Sequence, residues 1–163
     1  MAVFSDIISD QKILVSIPDE SKKILVFVCG GCVNESLAYI KDTPILKNDQ
    51  PFASKMEAER ISNLLTQKGY DVRIEVLDGA MPVLCIFDDL FPLANDDQFV
   101  PDVILALSCH SGVAGLEMLQ SKPVIPLTKQ IGYIAYTYED IGNERIMIKS
   151  KTVVRLLDKQ VNL

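Results

Sequence analysis

Four cysteines are the residues of this sequence best suited to chemistry: Cys29, Cys32, Cys85 and Cys109. The first two form a Cys-Gly-Gly-Cys turn, and such a turn presents two thiolates to one soft metal centre. Gly30 and Gly31 let the backbone curl, so that amide groups can point at the sulfurs. Four thiolates can hold either tetrahedral zinc or an iron–sulfur cluster.

The same cysteines allow two other interpretations. Cys29 and Cys32 could act as a thiol–disulfide oxidoreductase, because a helix start lowers the pKa of a nucleophilic thiol. The aromatic and proline residues that usually accompany such a motif are missing here. Cys85 and Cys109 could instead be buried apolar side chains, since free cysteine is among the most buried residue types.

Alternating strand and helix patterns would position these thiols. The predicted strands are 23–28, 71–77, 102–108 and 122–127, and the predicted helices are 54–68 and 112–120. Ser54 and Glu57 have the spacing of a capping box, and Gly69 stands where the first helix should stop. This alternation predicts an α/β domain of flavodoxin- or Rossmann-like type, with a short, mostly parallel sheet and helices on both faces.

The strand ends explain why the cysteines should converge. Cys29 and Cys32 follow the first strand directly, and Cys109 follows the third. In open parallel sheets, ligands bind beyond the carboxyl ends of the strands. If the strands lie in the order 2-1-3-4, three thiols meet at one edge, and the segment bearing Cys85 could fold back over it. We therefore expect a single metal site with four cysteine ligands.

Composition and length indicate one domain over residues 1–163. We expect an N-terminal arm or helix in 1–22, a core in 23–133, and a C-terminal strand and helix in 134–163; residues 41–53 are predicted to be a surface loop. A net charge of −6 argues against binding to nucleic acid or to anionic membranes. The N-terminus lacks a signal pattern and no apolar run could span a bilayer. The sequence thus predicts a cytoplasmic protein, where cysteines favour metal or redox sites over structural disulfides.

Residues 23–133 resemble the small-subunit domain, also described as zinc-finger-like, of bacterial and archaeal methylenetetrahydrofolate reductases. The run Ile24-Leu25-Val26-Phe27-Val28-Cys29-Gly30-Gly31-Cys32-Val33 is similar to the family's opening strand and cysteine turn. Cys85-Ile86-Phe87-Asp88 matches a lone cysteine after its second strand, and Ala106-Leu107-Ser108-Cys109-His110-Ser111-Gly112-Val113-Ala114-Gly115 its later cysteine and glycine-valine turn. Pro123-Val124-Ile125-Pro126-Leu127 resembles its proline-bounded strand.

The resemblance implies a function. It implies an iron–sulfur cluster, [4Fe–4S] in form, or alternatively zinc, and a role as electron-transfer or accessory subunit in one-carbon or methyl-group metabolism. The implied partner is a flavoprotein reductase or methyltransferase subunit, with a homo-oligomer as a further possibility. Ser36 stands where the family turn has a further cysteine, which leaves the exact ligand set of the first site open. The family's second cysteine-rich segment has no counterpart in this sequence, so its second metal site is not expected.

Residues beside the cysteines complete the candidate site. His110, the single histidine, could replace a ligand or donate a hydrogen bond to sulfur. Gly112, at a helix start, could expose amides to a bound group, as could Gly30 and Gly31. No general base, nucleophile and oxyanion donor stand in a recognisable spacing, so we expect no catalysis by this chain alone.

Overall fold

The computed structural model describes residues 2–46, 52–76 and 99–156 of the 163-residue chain. In chain order its elements are β1 (Ala2–Ile7), α1 (Asp10–Ser16), β2 (Lys23–Val28), α2 (Cys32–Ile40), β3 (Ile45–Leu46), α3 (Phe52–Gln67), β4 (Asp71–Val76), β5 (Val103–Leu107), α4 (His110–Leu119), β6 (Val124–Pro126), β7 (Thr128–Gly142) and β8 (Arg145–Leu156). None of the helices in these ranges is long and apolar enough to cross a membrane.

A four-stranded parallel sheet has the order β4-β2-β5-β6. Its two inner strands are almost entirely buried, which explains their continuous apolar sequences. Val28 pairs with Leu107, so β2 and β5 end at the same level. The predicted α/β class is confirmed, and so is the expectation that the first and third predicted strands are neighbours.

Side chains of the inner strands alternate between two apolar clusters. The first joins Val26, Val28, Leu105 and Leu107 to buried residues of α1, α2 and α3, including Ile13, Leu37, Ile61 and Leu65. The second joins Leu25, Phe27, Ile104 and Ala106 to residues of α4, Val113 and Leu116. Each fully buried leucine or isoleucine contributes about 1.5–3 kcal/mol by leaving water. These clusters hold α2 and α4 against neighbouring strands.

A second, antiparallel sheet was not predicted and has the order β1-β7-β8-β3. β7 and β8 form a long hairpin whose turn residues, Asn143 and Glu144, have φ values of 53° and 58°. Two consecutive positive values are the mark of a type I′ turn, which matches the twist of a hairpin. Residues 134–156 therefore form strands joined by this turn, with no helix in that range; residues 157–163 lie outside the described part.

The N-terminal segment contains both a strand and a helix. The predicted helix in 1–22 is found as α1, which Ser9 caps by accepting a hydrogen bond from the Lys12 N–H at 3.4 Å. β1 pairs with β7, a pairing that the short apolar pairs of this segment did not indicate. Within the predicted loop 41–53, the residue pair Ile45–Leu46 forms β3 against β8.

The predicted helix over 54–68 is confirmed as α3, but the predicted capping box is wrong. The helix begins at Phe52, so Ser54 and Glu57 both lie inside it. The Ser54 N–H and hydroxyl lie 3.1 and 3.4 Å from Oδ1 of Asn34, which belongs to α2. The buried Glu57 carboxylate instead pairs with Lys41 and Arg60. A residue from a neighbouring helix therefore takes the place of the predicted local cap.

Candidate thiolate site

Cys32 and Cys109 meet at the carboxyl end of the parallel sheet. Cys32 is the first residue of α2, and Cys109 is the residue that immediately precedes α4. Their strands, β2 and β5, are neighbours and end at the same level, which brings the two helix starts together. The two thiols interact so that the pKa of Cys109 is lowered and the pKa of Cys32 is raised. Two cysteines far apart in the chain thus form one thiol pair.

Cys109 is the more acidic member of this pair. The hydrogen bond from Cys32 lowers the pKa of the Cys109 thiol to about 5, and backbone N–H groups of Gly112 and Ser111 act in the same direction against the effect of burial. These amides belong to the first turn of a ten-residue helix, whose partial positive charge stabilises a thiolate. The helix start is therefore occupied by a negative sulfur of the chain itself.

Cys32 behaves in the opposite way. Its hydrogen bond to Cys109 is the largest cause of a raised pKa, and burial adds to it, whereas the backbone N–H of Val3 lowers the pKa. Because the two groups interact so closely, their protons leave as those of a pair. The opposite shifts in pKa favour a state in which the two thiols together carry one proton and one negative charge at neutral pH.

Cys29 lies at the same edge but in different surroundings. Its N–H donates to the Leu107 carbonyl at 3.0 Å, which continues the pairing of β2 with β5 by one residue. The residue is only 2% exposed and belongs to the second apolar cluster, with Phe27 and Val113. Cys109, by contrast, packs in the first apolar cluster. The alternation of side chains along a strand explains why these two cysteines differ.

The structure thus brings two of the four predicted ligands into contact. Cys29 lies nearby in the second cluster, and Cys85 falls outside the described residues. Within the described ranges, no three His, Cys, Asp or Glu side chains form a group that could hold a metal ion.

Ser36 connects the thiol pair to the antiparallel sheet. Its hydroxyl lies 2.8 Å from the Cys32 carbonyl, 3.2 Å from that of Val3 and 3.4 Å from the Tyr136 hydroxyl. It also accepts a hydrogen bond from the Ser5 N–H at 3.2 Å. In the sequence, Ser36 stood out as a departure from the family turn. Its position four residues after Cys32 places both on one helix face, a spacing that could have indicated this role.

Glu35, Tyr136 and Tyr138 lie together beside the pair of cysteines. Burial raises the pKa of the Glu35 carboxyl, while a hydrogen bond from the Tyr138 hydroxyl, 3.0 Å from Oε1, lowers it. Burial and the nearby carboxylate raise the pKa of Tyr138 to about 12. Burial likewise raises the pKa of Tyr136, whose ring centroid lies 6.3 Å from that of Tyr138. The sequence predicted a strand in 134–163, but it did not predict the antiparallel sheet that places these tyrosines beside Glu35.

The other predicted site residues take different positions. His110 is exposed at the first position of α4 and lines a small pocket with Val113, Pro126, Thr128 and Gln130. Gly112 is buried and directs its N–H to the Cys109 sulfur, as the prediction of amides at this helix start requires. Gly31 immediately precedes α2, and Gly30 lies in the turn before it.

No protein-family model, curated protein or solved structure matches this chain. The chemistry of the site is therefore the basis for interpreting it. Two neighbouring cysteine thiols can either bind a soft metal ion or form a disulfide. In a tetrahedral zinc site with Zn–S bonds of about 2.3 Å, two sulfurs lie roughly 3.8 Å apart. Two thiols that shift each other's pKa, as Cys32 and Cys109 do, are candidates for two ligands of one soft metal ion.

Proposed function

We propose that this chain binds an iron–sulfur cluster through its cysteine thiolates. We further propose that it serves a methylenetetrahydrofolate reductase-like system of one-carbon or methyl-transfer metabolism as an electron-transfer or accessory subunit. The observation that supports the metal site is that Cys32 and Cys109 stand at the starts of two helices at one end of neighbouring strands. The sequence resemblance supports the metabolic role and the partner, a flavoprotein reductase or methyltransferase subunit.

The proposed ligands are the four cysteines. Cys32 and Cys109 stand at the starts of two helices that follow neighbouring strands, and Cys29 lies at the same sheet edge. Cys85 would come from the segment between β4 and β5. A bound cluster would supply a one-electron redox centre. Backbone N–H groups of Val3, Ser111 and Gly112 donate to the two sulfurs, and such hydrogen bonds tune the potential of a cluster.

The proposal extends to the finer class of the fold. A flavodoxin- or Rossmann-like three-layer arrangement of a single domain is supported by the strand order β4-β2-β5-β6. It is also supported by the two apolar clusters, since helices α2 and α3 contribute to one and α4 to the other. In this class of fold, a ligand site at the carboxyl end of the central strands is the usual arrangement.

A structural zinc site is a second candidate, and one observation favours it. Each cysteine of a four-iron cluster binds a different iron, which keeps the sulfurs well apart, whereas two ligands of a single ion lie close together. The contacting pair of Cys32 and Cys109 matches the second geometry. In this case the chain would be an interaction module whose metal joins α2 to α4.

Metal analysis of the anaerobically purified protein tests the proposal. We expect about four irons and four acid-labile sulfides per chain with a broad visible absorption, and loss of both in Cys32→Ser and Cys109→Ser. Stoichiometric zinc without sulfide would favour the structural zinc site. Absence of iron and zinc from the native protein would contradict both.

A control separates metal loss from unfolding. Met118→Ser changes an exposed residue, 77% accessible, on the helix that follows Cys109. We expect this variant to retain the metal of the native protein. Far-UV circular dichroism of both cysteine variants should remain native-like; metal loss that merely accompanies unfolding would not support the assigned ligands.

A further inference from the structure

We propose that Glu35, Tyr136 and Tyr138 bind the guanidinium group of an arginine side chain that belongs to a partner protein. These three residues, called the tyrosine site below, lie where α2 faces the long strand β7. The carboxylate supplies the negative charge, and the two rings supply the surface on which the guanidinium plane stacks. None of the cysteines takes part, so this site is independent of the proposed metal site.

Hydrogen bonds between the two elements hold the tyrosine site together. Glu35 lies in the first turn of α2, and the Tyr138 hydroxyl donates a hydrogen bond to its Oε1 at 3.0 Å. The Tyr136 hydroxyl lies 3.4 Å from that of Ser36, which is the next residue of the helix. Both rings are thus positioned against α2 before any partner binds, which lowers the entropy cost of binding.

The carboxylate of Glu35 is partly buried and lacks a side-chain counter-ion. Within residues 2–46, 52–76 and 99–156, no lysine, arginine or histidine side chain forms an ion pair with it. Burial raises the pKa of this carboxyl; the hydrogen bond from Tyr138 lowers it, and the N-terminal amino group lowers it to a smaller extent. A cation brought by a partner would offset the hydration that burial has removed.

The two tyrosine rings favour a guanidinium group over an ammonium group. Their centroids lie 6.3 Å apart and their planes are inclined by 54°. Tyr138 is 49% exposed and Tyr136 is partly exposed, so a cation from solvent can reach them. A planar guanidinium group can stack on an aromatic face and still donate hydrogen bonds to a carboxylate at its edge, whereas an ammonium group is a compact charge that does not stack.

An arginine side chain of a protein suits the tyrosine site better than a free cation does. Because Tyr138 is half exposed, a small ion bound there would remain largely in water. The methylene groups of an arginine can pack along the rings while its head reaches Glu35. Tyr39, whose ring centroid lies 6.4 Å from that of Tyr136, extends this aromatic surface. The net charge of −6 also favours the approach of a basic partner.

NMR titration of the full chain, labelled with ¹³C in its tyrosine rings, tests the choice of ligand. A blocked peptide of sequence Gly-Ser-Arg-Ser-Gly should shift the ring signals of Tyr136 and Tyr138 saturably. The same peptide with citrulline, which is uncharged and similar in shape, should not, and the lysine peptide should bind more weakly. Absence of a saturable shift, or equal binding of the citrulline or lysine peptide, would overturn the proposal. Free guanidinium ion that binds as tightly as the arginine peptide would overturn the assignment to a side chain.

Variants of the chain test the assigned residues with the arginine peptide. Glu35→Gln should weaken binding about five- to tenfold, and Tyr138→Ala about two- to fivefold. Glu139→Gln is the matched control, because it removes the same charge from the next residue of β7, where the carboxylate is 58% exposed and pairs with Lys149. This control should keep the native affinity, and circular dichroism should show that all three variants fold. Native affinity in Glu35→Gln, or an equal loss in Glu139→Gln, would overturn the assigned site.

Discussion

The parallel and antiparallel sheets contribute to the thiol pair in different ways. The inner strands of the parallel sheet are buried and set the positions of Cys32 and Cys109 through the helices that follow them. The antiparallel sheet is largely exposed along β7, yet its β1 supplies the Val3 N–H to Cys32, and β7 supplies the neighbouring tyrosines. The parallel sheet thus sets the positions of the two cysteines, and the antiparallel sheet supplies much of their polar environment.

The largest expected effect is a core truncation in the parallel sheet. Leu105→Ala removes a fully buried side chain from a central strand, and such changes typically cost about 2–5 kcal/mol of unfolding free energy. Ile148→Ala, in the half-exposed hairpin, should lose an unfolding free energy at the lower end of this range, because the residues around it can relax. Urea denaturation monitored by circular dichroism measures both. A larger loss for Ile148→Ala would reverse the assigned importance of the sheets.

Ser36→Ala probes the connection between the sheets. The substitution leaves the buried N–H of Ser5 without its acceptor and removes the contact with Tyr136. Loss of a partner for a buried polar group costs about 1–3 kcal/mol. Denaturant unfolding should show this loss, while Thr66→Ala, which removes a hydroxyl at an exposed position of α3, should change stability little. Equal stabilities for the two variants would show that Ser36 does not join the sheets.

The thiol pair should give the metal-free, reduced protein a characteristic pH dependence. Cys109 loses its proton near pH 5, below the ordinary thiol value of 9.0, and Cys32 keeps its proton well above that value. From pH 5 to 9 the unfolded chain binds more protons, so this contribution to stability rises; above pH 9 the folded chain binds more, so it falls.

Unfolding free energies measured across this pH range, for the native chain and Cys109→Ser, isolate that contribution. The difference in unfolding free energy between the native chain and Cys109→Ser should be largest near pH 9. We expect the amplitude to be moderated because solvent reaches Cys32. Parallel curves would contradict the shared proton.

The smallest expected effect is that of Tyr138→Phe. The tyrosine is 49% exposed, so its loss should cost less than about 1 kcal/mol. Because its hydroxyl donates to Glu35 and lowers the pKa of that carboxyl, the variant should raise this pKa further. Carboxyl NMR titration measures the change, with Tyr133→Phe on the same strand as the control. An unchanged Glu35 titration would remove Tyr138 from the site.

The two sheets also differ in how well the sequence predicted them. All four parallel strands were predicted. The two inner strands are buried and therefore have continuous apolar sequences, and the two outer strands have clear boundaries in the sequence. A strand was expected in 134–163, but the register shifts at Tyr133/Ile134 and Thr137/Tyr138 break the alternation that would have shown the full length of β7 and its place in a second sheet. Convergence of Cys32 with Cys109 followed from the predicted strand order. The contacts of Ser36 and Glu35 did not, because they depend on partners in the unpredicted sheet.

The hydrogen bonds from Ser54 to Asn34 have a consequence for how the chain folds. The N–H of Ser54, in the first turn of α3, donates to Asn34, which belongs to α2. A peptide containing only 52–67 should therefore fray at its N-terminal end, because exposed first-turn amides weaken a helix. The first turn of α3 would become ordered only after α2 has docked. Assembly of the two helices, and with it the support behind Cys32, is then a cooperative step.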